Sequence, residues 1–347
     1  MCHGRVIVGF VITTSSGRAF DVGTADTLQA AIYSLRGPSD QPEATGGTVW
    51  IWGDITLARR VDLISGVCLD FMGHTVTLAP QVYSRRASFA YIGRTASHCT
   101  IRRANVVSET LEETPIILVE SRGTSYPPLS GILLEDLHII SKIEPTYAGE
   151  YTPTGIMLNA NNGGGVEGNT FQRLRFRNMK RGLWFNKSNT SRNRIADNFF
   201  YDIHFDGFER MVTFTELSDG SGYSRNIFNH VRGRASSFTQ VGFENIVGEG
   251  NHFDHCSIDN WQETPLLPDD TIPPDWILDS QARQTYICAH TINAVEDRGS
   301  SYTVFDPPLP EDNNQQPRLP FFPDKPHITA PGRTATGGLF RSWGTYQ

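Results

Sequence analysis

The chain has 347 residues, of which 38% are hydrophobic and 11% aromatic, enough for a substantial core in one or two domains. Its formal net charge of −7 at pH 7 and its sequence pI near 5.8 argue against a surface that holds nucleic acid or an anionic membrane. We therefore expect an ordinary folded protein with no nucleic-acid partner and no membrane insertion.

The N-terminal segment includes a short apolar run at residues 6–12. This run is too short to span a bilayer and marginal even as the core of a signal peptide, so we expect a first strand. The protein would then fold in the cytoplasm of a host and be released only as part of a larger assembly. Secretion is the alternative.

A helix is predicted next, because Thr24 or Asp26 can cap a segment with helical apolar spacing that Gly37 and Pro38 would end. Its apolar side consists of Leu28, Ala31, Ile32 and Leu35. Residues 46–53, GGTVWIWG, then read as a strand that enters the main domain. We expect residues 1–45 to form a strand and a helix that covers the exposed strand edges of that domain.

A ten-residue template recurs seven times in the middle of the chain, with starts at residues 69, 99, 132, 169, 198, 226 and 251. Its clearest copy is residues 169–178, NTFQRLRFRN. Apolar residues occupy positions 3, 6 and 8, a pattern typical of two short strand segments joined by an extra residue that bends the chain. At position 3 we predict one interior column: Phe71, Ile101, Leu134, Phe171, Phe200, Phe228 and Phe253.

Further apolar runs lie between the templates, at residues 116–119, 155–158, 182–185 and 210–214, so each repeat holds at least two strands. A unit of this size cannot bury its own apolar face, and copies must stack with their strands in parallel about 4.8 Å apart. We therefore expect an all-β fold, a right-handed parallel β-helix over residues 46–262. A leucine-rich-repeat solenoid would show more regular, leucine-dominated spacing.

The corners of the coil are predicted at template positions 1 and 10, where several copies carry asparagine or serine. Asparagine tolerates a left-handed backbone, and its side-chain amide can hydrogen-bond to an amide stacked upon it. A ladder of asparagines along one corner is the expected result.

The five cysteines stand at residues 2, 68, 99, 256 and 288, an odd number without CxxC spacing or the histidine pattern of a zinc site. We expect free thiols. Cys99 and Cys256 fall on inward positions of the template, where cysteine packs as a small hydrophobe.

The C-terminal part of the chain has a different composition: 12 of the 20 prolines fall between residues 265 and 331, and the template is lost after Trp261. Proline-rich sequence with scattered aromatic residues is typical of a disordered tail or of an extended arm. We expect an arm at residues 263–347, outside the β-helix, that contacts a neighbouring subunit.

Residues 24–78 resemble the opening of the pectate-lyase-like superfamily: a helix with LQAAI, then GGTVWIWG, then SGVCLDFMGHTVTL. The resemblance extends over the solenoid, about residues 20–262. It implies a surface that meets polysaccharide but no single activity, because the superfamily includes pectate lyases, polygalacturonases, alginate epimerases and bacteriophage tailspikes.

The motifs of the named enzymes are missing from this sequence. It has no Gly-His-Gly or Arg-x-Lys of the polygalacturonases, and its one Asp-Asp, Asp269 with Asp270, lies in the proline-rich stretch. The Arg-x-Pro-x-x-Arg of pectate lyases is also absent. These departures favour a resemblance to phage tailspikes, whose sites follow no common motif.

We therefore expect a tailspike-like virion protein, a homotrimer that attaches to a host cell-surface polysaccharide and contacts other virion proteins. Two alternatives stay open. A stand-alone polysaccharide lyase or glycoside hydrolase would use the same fold, whereas a purely structural virion or decoration protein would need no glycan. We expect no cofactor.

Aligned templates stack their outward residues into two ladders of alternating charge. The ladders allow two interpretations: a lattice of exposed ion pairs, each contributing roughly 0 to 1 kcal/mol, or a groove of acids and arginines that faces a glycan. Position 5 holds Arg103, Asp136, Arg173, Asp202, His230 and His255, and position 9 ends with Arg177, Asp206, Arg234 and Asp259.

The rung at residues 201–210 is the richest in functional groups, with Asp202, His204 and Asp206 on one outward face. Residues four apart on a strand are separated by about 13 Å, too far for a glycosidase pair, so catalysis would need Glu209 or a neighbouring rung. The candidate catalytic residues are Asp202, Asp206 and Glu209. The candidate glycan-binding residues are His204, Arg232, His230, Asp254 and Trp261.

A metal site is the less favoured interpretation of His252, Asp254 and His255, because neighbouring strand residues converge only where the strand bends. We expect polar surface residues there and no bound metal. Trp184 and Trp261 have ring faces suited to the apolar face of a pyranose. For Trp184, which lies within an apolar run, we expect packing in the core.

Overall fold

The computed structural model describes residues 11–37, 45–80, 87–93, 96–109, 114–143, 153–188, 192–215, 222–259, 274–288, 295–298, 300, 304–305 and 339–340. The described part of the chain is mostly β, with about 60% of its residues in strands and one helix. The elements in chain order are β1 (Ile12–Thr14), β2 (Ala19–Phe20), α1 (Ala25–Tyr33), β3 (Gly47–Ile51), β4 (Ile55–Leu57), β5 (Val61–Asp62), β6 (Val67–Asp70), β7 (Thr75–Leu78), β8 (Ala90–Gly93), β9 (Thr100–Ser108), β10 (Pro115–Arg122), β11 (Leu133–Ser141), β12 (Thr154–Asn161), β13 (Gly165–Glu167), β14 (Thr170–Lys187), β15 (Arg194–Ala196), β16 (Phe199–Phe214), β17 (Tyr223–Ser224), β18 (Ile227–Arg234), β19 (Val241–Glu249), β20 (His252–Asp254), β21 (Ser257–Asp259), β22 (Trp276–Arg283), β23 (Tyr286–Cys288), β24 (Val295–Asp297), β25 (Val304–Phe305) and β26 (Leu339–Phe340).

These strands form a parallel β-solenoid of about six turns, as the repeat predicted. The template strands pair in the order β6, β9, β11, β14, β16, β18 and β20, and we call their sheet the front face. The runs between the templates form a second sheet, the back face, in the order β8, β10, β12, β14, β16, β19 and β22. Strands β14 and β16 are long enough to belong to both.

The interior column at template position 3 is formed almost as predicted. The register pairs Ile101 with Leu134, Leu134 with Phe171, and so on through Phe200 and Phe228 to Phe253. The four phenylalanine rings stack with centroids 4.6 to 4.8 Å apart and planes within 8° of parallel. Each ring thus fills the space above the last, which is why one residue type recurs at this position.

The first member of the column was assigned wrongly. Leu69, not Phe71, pairs with Ile101, and Val76 then pairs with Val106, so the first turn carries two extra residues at its bend. Phe71 is fully buried but packs edge-on against Phe89. His74, placed at inward position 6 by the same frame, has a side chain 37% exposed.

Each template strand bends at position 5, where the backbone is left-handed. In six of the template strands the residue at position 5 has a φ angle between 51° and 55°, although it is not glycine. The extra residue inferred from the pattern is therefore a single left-handed residue that turns the strand without breaking its pairing with the next turn. The six residues are Arg103, Asp136, Arg173, Asp202, His230 and His255.

A ladder of buried asparagines runs along the predicted corner at position 1. The Nδ2 of Asn169 donates to Oδ1 of Asn198 at 2.9 Å, and the same bond joins Asn198 to Asn226 and Asn226 to Asn251 at 3.0 Å. The left-handed residue at this corner is not the asparagine but the residue before it, such as Gly168. The asparagines thus satisfy the corner's buried backbone groups.

The predicted helix is present as α1, with Thr24 as its N-cap in a capping box with Thr27. Its buried residues include Leu28, Ala31 and Ile32, which belong to the hydrophobic core. Strand β1 pairs antiparallel with β3, next to the first turn. The function of this region as a cover for the strand edges stays a prediction.

The solenoid continues past residue 262, where we expected it to end. Strand β22 pairs in parallel with β19, and β23 pairs with β20, so that Ile287 follows Phe253 in the interior column. Trp276 is 1% exposed and stacks on Phe243 with ring centroids 3.9 Å apart. The predicted C-terminal boundary of the β-helix at residue 262 was too early. The proline-rich composition after Trp261 interrupts the repeat only locally, and the strands resume at Trp276. Residues 306–338 and 341–347 of the expected arm lie outside the described residues.

The cysteines that the structure describes form no disulfide bond; they are Cys68, Cys99, Cys256 and Cys288. Cys99 and Cys256 are fully buried, as predicted, and burial raises the pKa of the Cys99 thiol to about 12. Cys2 lies outside the described residues. The described part of the chain contains no helix that is both long and apolar enough to cross a membrane.

A buried ion pair fixes the bend of the first turn. The carboxylate of Asp70 is fully buried and accepts hydrogen bonds from Arg102 Nε at 3.0 Å, Arg103 Nε at 2.8 Å and the Met72 amide at 3.1 Å. Burial alone would raise the pKa of Asp70. The hydrogen bonds from Arg103 and Met72, together with the two arginine charges, outweigh burial and hold this pKa below its ordinary value of 3.8.

We predict that Phe200→Ala lowers the free energy of unfolding by about 3 to 5 kcal/mol, because it leaves a cavity between two stacked rings. Tyr201→Ala, the next residue, is the matched control: its side chain is outward and 40% exposed, so the loss should stay near 1 kcal/mol. Urea denaturation measures both. Equal losses for the two variants would contradict the interior column.

We predict that Asp70→Asn lowers the free energy of unfolding by about 3 kcal/mol at pH 7, because two arginines lose a buried carboxylate. The folded-state pKa of Asp70 is lowered, so its contribution is present above the unfolded pKa and is lost as pH falls through the folded pKa. The difference between parent and variant should therefore shrink below about pH 4. Asp136→Asn, which breaks an exposed pair, should cost about 1 kcal/mol; a difference between parent and Asp70→Asn that persists at low pH would contradict the assignment.

Candidate functional site

A groove of about 540 Å³ runs along the outer side of the front face, across the strands β11, β14, β16 and β18 and the end of β21. Its side chains come from template positions 7 and 9, which lie beyond the bend of each strand. We call it the front groove. Its outward lining residues are His138, Arg175, Arg177, His204, Asp206, Arg232, Arg234 and Asp259.

Strand alternation explains why these residues share one surface. In β16 the residues Ile203 and Phe205 are buried while His204 and Asp206 between and beyond them point outward. The parallel register then places Arg175, His204 and Arg232 side by side on successive turns. The groove is thus built from equivalent positions of consecutive repeats.

The charges of the front groove alternate by turn. Strand β14 contributes Arg175 and Arg177, β16 contributes His204 and Asp206, and β18 contributes arginines again at both positions. Four arginines face two aspartates, so this surface is basic on a chain of net charge −7. The local charge of the groove is therefore opposite in sign to the net charge of the whole chain.

The two arginines of β18 have no ion-pair partner among the residues that the structure describes. Arg232 is half-buried and Arg234 exposed, and neither comes within 4.0 Å of a described carboxylate. Arg177 approaches Asp206 only loosely, at 3.8 Å from Nε to Oδ2. The groove therefore presents guanidinium groups that are open to a ligand.

Template position 5, from β9 to β14, shows the other arrangement that the charge ladders allowed. Arg173 is paired with Asp136 at 2.6 Å and with Glu135 at 2.7 Å, and Arg103 is paired with Asp70. The position-5 ladder is thus an ion-pair lattice in these turns. The two interpretations apply to different parts of the front face.

Asp202 lies at the edge of the groove and serves as an acceptor. Its carboxylate lies 3.2 Å from Arg175 Nη2 and 3.1 Å from His204 Nε2. Burial would raise the pKa of Asp202, but the hydrogen bond and charge of Arg175, helped by His204, hold this pKa below 3.8. Asp202 is therefore ionised at neutral pH and is not a proton donor.

The two histidines of the groove are neutral at pH 7. Burial, then the charge of Arg175, lowers the pKa of His204 below its ordinary 6.5, and the neighbouring Asp202 opposes this only in part. Burial, followed by the charges of Arg177 and Arg175, also lowers the pKa of His138. Neutral imidazoles offer both a donor and an acceptor to a hydroxyl-rich ligand.

Glu209 is separated from the groove, contrary to our grouping of it with Asp202 and Asp206. It follows the bend at Gly207, is only 4% exposed, and accepts a hydrogen bond from Arg210, which also binds Glu244 at 2.9 Å. Burial raises the pKa of Glu209, against the charge of Arg210. A buried carboxyl at this place does not reach a polymer that lies in the groove.

His230 lies at the bend itself, and Asp254 lies on the side of the bend away from the groove. The ring of His230 stacks on His255 at 4.8 Å, and the His255 Nδ1 lies 2.8 Å from Asp254 Oδ1. His255 and Asp254 converge because His255 itself is the left-handed bend residue. Among the residues that the structure describes, no group of three His, Cys, Asp or Glu side chains could hold a metal ion.

Of the two tryptophans, Trp261 lies outside the described residues. Trp184 is not in the interior, where we expected it, because its neighbours Leu183 and Phe185 take the inward positions. It is partly buried on the outer side of the back face, where its indole donates to Thr215 Oγ1 at 3.0 Å and Arg181 covers its ring at 4.6 Å. Arg181 therefore already covers the ring face of Trp184 on which a sugar would stack.

Sequence reasoning found His204, Asp206 and Arg232 but missed His138 and Arg175 as members of the same surface. Both stand at template position 7, which we did not align, while positions 5 and 9 were chosen for their alternating charge. The position-7 column reads Asn105, His138, Arg175, His204, Arg232 and Ser257. Listing every outward position of the template would have revealed it.

The arrangement is suited to binding a long polar chain. Guanidinium groups, neutral imidazoles and ionised carboxylates are repeated from turn to turn, and together they can donate to and accept from many hydroxyl groups. The carboxylates whose pKa is shifted fit acid–base chemistry poorly, because Asp202 is held ionised and Glu209 is buried.

No family model matches this chain, and no curated protein or solved structure matches it either. The structure supports a parallel β-solenoid, and the resemblance of residues 24–78 to the pectate-lyase-like superfamily stays an expectation from the sequence.

Proposed function

We propose that this protein binds a surface polysaccharide along the front groove, as an attachment protein. The observation that carries the proposal is the pair Arg232 and Arg234, which face an open groove beside His204 without an ion-pair partner in the described part of the chain. Such groups, in a row of hydrogen-bonding side chains, are suited to a sugar polymer.

The spacing of the turns supports a polymer rather than a small molecule. Equivalent side chains on neighbouring strands are about 4.8 Å apart, close to the length of one sugar unit, about 5 Å. Arg175, His204 and Arg232 can therefore each meet a successive sugar. The groove crosses five strands, which matches a segment of several sugars.

Binding is favoured over cleavage. Hydrolysis requires two carboxyl groups about 5 to 9 Å apart, one of them protonated at working pH. Asp202 is held ionised by Arg175, and Glu209, whose pKa is raised, is buried away from the groove. A stand-alone hydrolase or lyase is therefore the second candidate.

The assembly that we propose is a homotrimeric, tailspike-like virion protein in contact with other virion proteins. This part of the proposal depends on the sequence resemblance and on the proline-rich C-terminal segment. Mass photometry of the full chain tests it: a trimer near three times 38.6 kDa is expected, and a monomer at micromolar concentration would contradict it.

We predict that the double variant Arg232→Gln/Arg234→Gln binds a surface polysaccharide at least about tenfold more weakly than the parent, because two charge-assisted contacts are lost. The ligand is first selected by biolayer interferometry against a panel of purified bacterial surface polysaccharides. Release of reducing ends is recorded in the same incubations. If reducing ends appear, and disappear in Asp206→Asn, the protein is a polysaccharide-degrading hydrolase or lyase instead.

The matched control is Arg194→Gln/Arg225→Gln, which removes the same charge away from the groove, where these arginines pair with Glu167 and Asp197. This variant should bind within about twofold of the parent. If the two double variants lose the same affinity, or if neither loses any, the front groove is not the binding site.

A further inference from the structure

The arginines of the front groove lie on alternate turns. Arg175 and Arg177 come from β14 and Arg232 and Arg234 from β18, while the turn between them carries neutral His204 and anionic Asp206. The next position beyond Arg234 is Asp259. Positive charge is therefore concentrated on two turns that are separated by one acidic turn, about 10 Å apart.

We propose that the ligand is an acidic polysaccharide in which one sugar in two carries a negative group. An anion placed every second sugar, about 10 Å apart, meets an arginine pair at each step. This inference rests on the proposed function and adds the charge pattern of its ligand.

The intervening turn selects against a chain with a charge on every sugar. A carboxylate next to β16 would meet Asp206, whose side chain is 60% exposed, and the neutral ring of His204. Repulsion from Asp206 opposes that placement, whereas the hydroxyl groups of an uncharged sugar find acceptors and donors there. The preference for an alternately charged polymer over one that is charged on every sugar thus depends on the acidic turn as much as on the basic turns.

The arrangement is specific to this part of the front face. On the other side of the bend, at position 5, Arg173 of the same strand β14 is neutralised by Asp136 and Glu135, and Arg103 of β9 is neutralised by Asp70. In the groove, Arg175 is paired with Asp202 and Arg177 approaches Asp206 loosely, whereas Arg232 and Arg234 have no ion-pair partner among the described residues. The charge of Arg232 and Arg234 is therefore the most available to an anion.

The test compares four soluble polymers of matched length at low salt: hyaluronan and unsulfated chondroitin, with one carboxylate per two sugars; polygalacturonate, with one on every sugar; and carboxyl-reduced hyaluronan, with none. We expect at least one of the alternately charged polymers to bind about tenfold more tightly than the reduced polymer and about fivefold more tightly than polygalacturonate. Its affinity should fall as salt is raised.

The decisive variant is Asp206→Asn, which removes the repulsive charge from the middle turn. It should raise the affinity for polygalacturonate about fivefold and change that for the alternately charged polymer less, so that discrimination is lost. Asp197→Asn, an acid paired with Arg225 away from the groove, is the matched control and should change neither.

Three results would overturn the inference. The first is that the neutral polymer binds as tightly as the charged ones. The second is that polygalacturonate binds more tightly than the other polymers and that Asp206→Asn does not change its affinity. The third is that neither alternately charged polymer binds at low salt. If the protein still binds a neutral polysaccharide from the panel through Arg232 and Arg234, the proposed function stands and only the charge pattern is wrong. If no polysaccharide binds at all, both fail.

Discussion

The structure depends on one constraint: each strand hydrogen-bonds to the equivalent strand of the next turn, in parallel and in register. Because equivalent residues must then stack, a residue that fits one turn also fits its neighbours, and columns of like side chains result. The stacked rings from Phe171 to Phe253 and the asparagine ladder from Asn169 to Asn251 are the interior columns. The same stacking of equivalent residues on the outer surface produces the front groove, where template position 7 carries Arg175, His204 and Arg232.

The electrostatic character of the front face changes along the solenoid. In the lower turns the charges are satisfied within the protein, most completely at the buried carboxylate of Asp70, which holds two arginines. In the upper turns Arg232 and Arg234 lack partners in the described part of the chain. Unpaired charge on a surface adds little to stability and is open to ligands. The same residue type thus stabilises the fold at one end and, in the function that we propose, binds the ligand at the other.

The sequence predicted the fold well because the template carries its period on every turn, and a stacked repeat leaves few alternatives. It failed where a turn departs from the template. Two extra residues at the first bend moved Phe71 out of the column that Leu69 occupies, and the prolines after Trp261 hid the return of the strand at Trp276. The site was predicted in part: His204, Asp206 and Arg232 were found from one rich rung, but the burial of Glu209 depends on the bend at Gly207 and on packing around Arg210, which no linear pattern shows.

The left-handed bend at position 5 has a consequence for how such a protein can change. Six non-glycine residues hold this conformation, at a cost of roughly 1 kcal/mol each that glycine would avoid. Their side chains leave the surface at a corner, about 4.8 Å apart, with little contact with the core. Apart from Arg103, which holds the buried Asp70, these residues can therefore change one at a time while the interior columns stay untouched. The same straight row would let an engineer display a chosen order of five side chains on an unchanged scaffold.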